Sequence, residues 1–205
     1  MFRAGGFWSR RSFPPPTASR LATLLLSALL LTGLAACSPA YDWRDIRGPG
    51  GDYWVQLPAR PSLLTRRIHL EGIEVEMTMQ GAKAEENAFT IGLVPLPSAS
   101  AEAAGMSPER ILAAMREQML RNIGASPATP SSSVEVDLVD LDAKTIGTTR
   151  LQAVSASGSG RHLAMRLHGR FGIWQGHAVQ VVAIGPDLAP EHADHFLASL
   201  RLVQR

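Results

Sequence analysis

The chain has 205 residues, with 20 Lys and Arg against 18 Asp and Glu, 45% hydrophobic residues and a single cysteine. Such a length suits one domain with an appended segment, and a lone thiol excludes both an internal disulfide and a thiolate zinc cluster. The formal charge of +2 is unevenly placed, because Arg3, Arg10, Arg11 and Arg20 stand in the first twenty residues with no acid among them.

Those arginines precede "LATLLLSALLLTGL", Leu21 to Leu34, fourteen residues without a charge. A basic stretch followed by an apolar one is the pattern of a signal peptide, and the run is shorter than the ~20 residues that cross a bilayer as a helix. Leu34-Ala35-Ala36-Cys37 then resembles the lipobox of bacterial lipoproteins. The resemblance implies cleavage before Cys37, diacylglycerol on its sulfur and acylation of the new amino group. Two or more chains hold a protein stably at a membrane where one does not. Ser38 in place of Asp after the cysteine implies, by the same analogy, the outer membrane over the inner. "SRRSF", Ser9 to Phe13, resembles part of a twin-arginine motif, but Pro14-Pro15-Pro16 interrupts it and the leucine-rich run suits the general secretory route.

Removal of residues 1–36 takes four arginines and no acid, so 20 basic side chains become 16 against 18 acidic ones, a formal charge of −2. The basic isoelectric point belongs to the leader, and nucleic acid drops out as a partner. The remaining 169 residues (205 less 36) are enough for a core of their own.

Residues 37–52 contain "SPAYDWRDIRGPGGD", rich in Gly, Pro and charge, and read as a lipidated flexible tether, whose Tyr41, Trp43 and Ile46 either pack on the domain or sit at the membrane interface; the folded domain is expected over 53–205. It opens with "YWVQL", where Tyr53, Val55 and Leu57 alternate with Trp54 and Gln56 as in a half-buried strand, ended by Pro58 and Pro61. "SLLTRRIHL" follows, and Leu70-Glu71-Gly72 reads as a hairpin turn into "GIEVEMTMQG", with Ile73, Val75, Met77 and Met79 on one face. "AFTIGLVPL", Ala88 to Leu96, is another strand, and Ala99 to Gly105 a small-residue loop. "SPERILAAMREQMLRNIG" predicts a helix with Ser107 as N-cap, Pro108 at the first position, Leu112, Met115, Met119 and Ile123 in its apolar stripe and Gly124 as the stop. "VEVDLVDL", "TTRLQAVSASG" and a pair of strands within "RHLAMRLHGRFGIWQGHAVQVVAIG" come next, with Trp174-Gln175-Gly176-His177 at the hairpin tip. "APEHADHFLASLRLV" predicts a second helix from Pro190, burying Ala193, Phe196, Leu197 and Leu200.

This order, with the opening "Y.V.LP.RP" and the closing "FLASLRL", resembles the PsbP-like and DcrB-like domains, and "DWR.IRGP" is similar to the start of uncharacterised proteobacterial lipoproteins. The resemblance implies an α+β fold: an antiparallel β-sheet with helices packed on its faces, an α-β-α sandwich. It also implies an accessory or docking module with no shared active site.

Four groups of residues are candidates for chemistry. Glu191, His192, Asp194 and His195 are the densest set of metal-ligand types, with His192 and His195 three apart on the second helix; a solvated helix start is the plainer reading. His162, Arg166 and His168 share a strand face with His177 near the hairpin tip, which suits an anionic partner or an ordinary wet face. Ser155, Ser157 and Ser159 stand in "SASGSG", which reads as a loop and lacks the G-x-S-x-G elbow of a hydrolase. Met77, Met79, Met115 and Met119 lie on a strand and a helix and read as core filler or as the lining of a deformable cavity. No phosphate loop or dinucleotide fingerprint occurs. The first expectation is therefore a lipid-anchored, periplasm-facing, non-catalytic module without metal or cofactor, attached to the membrane through Cys37 and contacting an envelope protein. A carrier or sensor of a small apolar ligand is the alternative, and a hydrolase with an unrecognised site the third.

Overall fold

The computed structural model describes residues 40–70, 72–96, 107–160 and 163–205. The chain runs β1 (Arg44–Arg47), β2 (Tyr53–Leu57), β3 (Ser62–Leu70), β4 (Ile73–Ala84), β5 (Asn87–Pro95), α1 (Pro108–Asn122), β6 (Ser132–Val139), β7 (Thr145–Gly158), β8 (Met165–Trp174), β9 (His177–Gly185), α2 (Pro190–Ala198) and β10 (Arg201–Val203). Cys37, the loop Ala99 to Gly105 and His162 lie outside the described residues.

All ten strands join one sheet in the order β1-β2-β10-β6-β7-β8-β9-β5-β4-β3. Two runs of antiparallel neighbours build it: β6 to β9 with β5, β4 and β3 on one side, and β1 with β2 on the other. The three-residue strand β10 joins them, antiparallel to β2 and parallel to β6. The hairpin tips follow local chemistry. Gln175 and Gly176 both have positive φ, 42° and 75°, as a two-residue turn twisted to match its strands requires. Alternation sets the faces: Tyr53, Val55 and Leu57 are buried while Trp54 and Gln56 are half-exposed.

The sheet curls. Tyr53 in β2 hydrogen-bonds Gln80 in β4, although these strands lie near opposite ends of the strand order. Inside the curl one apolar cluster brings Tyr53, Phe89, Val181 and Leu202 from the strands against Phe196 of α2 and Leu200 just beyond it. A second cluster, on the other face, packs Ile111, Met115 and Leu120 of α1 on Leu167, Phe171 and Val182. Each such side chain removed from water contributes about 1.5–3 kcal/mol, so both faces of the central strands carry core. This explains why β9 reads almost wholly apolar and has seven of its nine residues buried.

The expected α-β-α sandwich is overturned. The folded unit is a curled half-barrel of mixed sheet, 54% strand and 16% helix among the described residues, and its two described helices of 15 and 9 residues cover patches of it without forming layers. Alternating patterns report that a strand has a buried face, but they are the same for a flat sheet and a curled one. The described part of the expected tether also differs. Arg44–Arg47 pairs along β2, Tyr41 meets Phe89 edge-on with ring centroids 6.0 Å apart, and the buried Asn87 donates to Tyr41 Oη at 3.0 Å. The folded unit begins at Ala40, because two aromatic rings outweigh the turn-forming composition around them.

Candidate ligand cleft

The helix α1 starts and stops where its residues dictate. Ser107 Oγ accepts from the N–H of Arg110, Pro108 occupies the first turn and Glu109 complements the dipole. At the other end the N–H of Ala125 reaches Leu120 O and that of Gly124 reaches Arg121 O, with Gly124 at φ 71°, closing the helix in a Schellman motif. This fixed helix packs on β8, β9 and the edge of β3 and leaves a cleft of about 570 Å³ between itself and strands β3, β4, β5 and β9. Small-molecule sites typically occupy ~300–1,000 Å³.

Met77 and Met79 come from alternate positions of β4, and Met115 and Met119 from successive turns of α1, so both periodicities aim two thioethers into the same space. Met77 and Met115 are buried, while Met79 and Met119 are half-buried at the opening. Gly92 on β5 makes room for them. A Cβ there would overlap Met77 Cε and lie 3.0 Å from Gln180 Cγ. A neighbouring hollow of about 290 Å³ shares Met79 and Thr90 with the cleft.

Among the polar groups lining the cleft, Thr90 Oγ1 donates to Val182 O at 3.4 Å and Gln118 Nε2 to Asn122 Oδ1 at 3.0 Å, which leaves Gln180, Arg66 and His69. Gln180, 5% exposed, lies on β9 opposite Gly92 and Phe171 and lines the floor. Among the described residues its side-chain amide has no hydrogen-bond partner. Arg66, exposed on β3, stands at the other side and makes no ion pair among the described residues, whereas Arg67 and His69 both approach Glu74, at 3.4 and 3.8 Å. No described acid lines the cleft.

The other sequence candidates have different positions. His192 stacks on Tyr41 with ring centroids 3.7 Å apart, and His195 lies 4.3 Å from the Trp43 ring with its Nε2 2.7 Å from Gln56 Oε1. His192, half-buried, and His195, exposed to solvent as expected of this helix start, both seat the aromatic segment before β1. No group of three or more His, Cys, Asp or Glu suited to a metal ion forms among the described residues.

Arg166 and Arg170 fasten α2: their Nη1 atoms donate to Leu188 O at 3.2 Å and Leu197 O at 2.6 Å. Ser155 and Ser157 lie within β7, not in a loop, and Ser155 Oγ is 3.1 Å from Nδ1 of its cross-strand neighbour His168. Burial holds the His168 imidazole below its ordinary pKa, opposed by Asp194 and reinforced by Arg166. Ser155 and His168 line neither the large cleft nor its neighbouring hollow. His177, at the hairpin tip, has its Nδ1 3.1 Å from Gln175 O.

The sequence reading brought forward the four methionines but missed Gln180, Gly92 and Arg66. A single amide interrupting the apolar run "AVQVVAI" was the available signal, since a buried polar side chain is the informative exception in a core strand. No family model matches the chain, and no curated protein in the comparison matches it.

Proposed function

We propose that this protein is a carrier or sensor of a small ligand with an apolar body, held at the cell envelope by acyl chains on Cys37 and acting by binding, without catalysis. The cleft beside α1 is the observation that supports this reading: its volume suits a small organic molecule, and four unbranched thioether side chains from two elements supply a wall that adapts to shape. Displacement of a fluorescent apolar probe from the mature protein tests it. Fatty acids or similar amphiphiles should displace the probe, and Met119→Trp, which fills the half-buried opening, should weaken probe binding tenfold or more with little change in Tm. Failure of every apolar ligand to bind would remove the proposal. Anchoring is tested separately, by mass spectrometry of the product for a mass gain at Cys37 that is absent in Cys37→Ser.

A second reading, docking to an envelope protein, is favoured by the outermost strand β3, where Leu63 and Leu64 are 56% and 51% exposed. Unpaired sheet edges of that kind accept a partner strand. Crosslinking in cells from a photoreactive residue at Leu63 would reveal such a partner.

A further inference from the structure

The distribution of polar groups in the cleft specifies the ligand further than its size does. We infer that the ligand is an anionic amphiphile, a fatty acid or close analogue, carrying a neutral hydrogen-bonding group such as a hydroxyl or keto oxygen well along its chain. The inference rests on the carrier reading above.

Two observations carry it. The first is Gln180. A primary amide offers two donors and an acceptor, and an occupant that expels water from the cleft must replace the hydrogen bonds that the amide loses. Gln180 is 5% exposed, has no partner among the described residues, and borders the cleft where Gly92 keeps the floor open, its Nε2 3.3 Å from the place a Cβ on Gly92 would take. An occupant with a plain hydrocarbon body would leave that amide dry and unsatisfied. One with an oxygen or N–H at that depth would satisfy it.

The second observation is charge. Of the described groups lining the cleft, Arg66 and His69 are the ones able to carry a formal charge, both basic, and His69 already faces Glu74. Arg66 has no acid paired with it among the described residues and stands exposed at the rim. A carboxylate there would meet a planar donor fork while remaining partly in water, whereas a carboxylate placed at Gln180 would lose its hydration for a neutral partner. The head group therefore belongs at Arg66 and the neutral group at Gln180. Arg66 pairs across from Met77, Met79 from Gly92, and Gly92 from Gln180, which puts three inter-strand steps, ~14 Å, and a two-residue offset along β4, ~7 Å, between the backbones of the two polar residues. The methionines occupy the apolar middle.

The test compares ω-hydroxy fatty acids of graded length with unsubstituted fatty acids of equal length and with the corresponding alcohols lacking the carboxylate, using probe displacement on the mature protein. At the length that spans the cleft, the hydroxy acid should bind at least tenfold tighter than the plain acid. That preference should vanish in Gln180→Leu and in Gln180→Met, two replacements of similar bulk that guard against one of them failing to fold. Preference for acid over alcohol should fall at least fivefold in Arg66→Ala. Plain and hydroxy acids that bind equally well in the natural protein, or a hydroxyl preference that survives both Gln180 variants, would overturn this inference and leave the carrier reading standing; no binding by any member of the series would end both.

Discussion

Tyr53 Oη donates a hydrogen bond to Gln80 Oε1 at 2.9 Å, joining β2 to β4 across the inside of the curl. Tyr53 is 2% exposed. Burial, and next the negative charge of Asp52, raise its phenol pKa far above the ordinary 10.0.

Tyr53→Phe should lower stability by about 1 kcal/mol, the usual worth of one hydrogen bond, seen as a Tm lower by ~2–4 °C. The same variant changes the alkaline limb. A folded phenol that stays protonated while the unfolded one ionises lets the unfolded state shed its proton first, so stability falls as pH rises from about 10 upward. Denaturant titrations at pH 9 to 11 should show a steeper loss in the natural protein than in Tyr53→Phe.

His168 gives the opposite limb. With its folded pKa depressed mainly by burial, the unfolded state takes up a proton first as pH falls below the ordinary 6.5, and stability contributed by the neutral ring is lost through the folded pKa. His168→Gln should show a flatter dependence between pH 7 and 5 than the natural protein, measured by Cm in urea.

Arg170 is a positioning group for α2. Its Nη1 donates to Leu197 O in the last turn of that helix, where a cation also complements the dipole. Arg170→Met should be destabilising by ~1.5–3 kcal/mol, the range for a hydrogen bond to a charged group. Amide exchange should accelerate most over Pro190–Ala198 while α1 remains protected.

Gly92→Ala addresses the cleft itself. The added methyl would displace Met77 Cε and crowd Gln180 Cγ, and the thioether end can swing where the strand cannot. Probe affinity should drop about tenfold or more, with circular dichroism unchanged and a Tm loss smaller than that of Arg170→Met.

Local structure was readable wherever periodicity and capping agree. Ser107, Pro108 and Gly124 delimit α1 in the sequence and in three dimensions, and the alternation of Tyr53, Val55 and Leu57 marks β2. Architecture was hidden in the shortest elements. Arg201–Val203 shows no repeat that separates it from the end of α2, yet it is the strand that joins β2 to β6, and without it the sheet could be read as smaller and flatter. Arg44–Arg47 lies among Gly, Pro and charge and becomes a strand through its partner β2, a tertiary effect that overrides local preference. In the cleft, two methionines two apart on β4 and two four apart on α1 were visible as stripes, but only the fold sets the stripes face to face.

If Cys37 carries the proposed acyl chains, the early start of the folded unit has a mechanical consequence. With Tyr41 stacked on His192 and Trp43 packed near Phe89, the leash from Cys37 to the first anchored ring would be four peptide links, at most ~14 Å when pulled straight. That reach is comparable to the depth of the headgroup zones flanking a ~30 Å hydrocarbon slab. The body would ride directly on the lipid surface in a restricted set of orientations, instead of swinging free at the end of a long string.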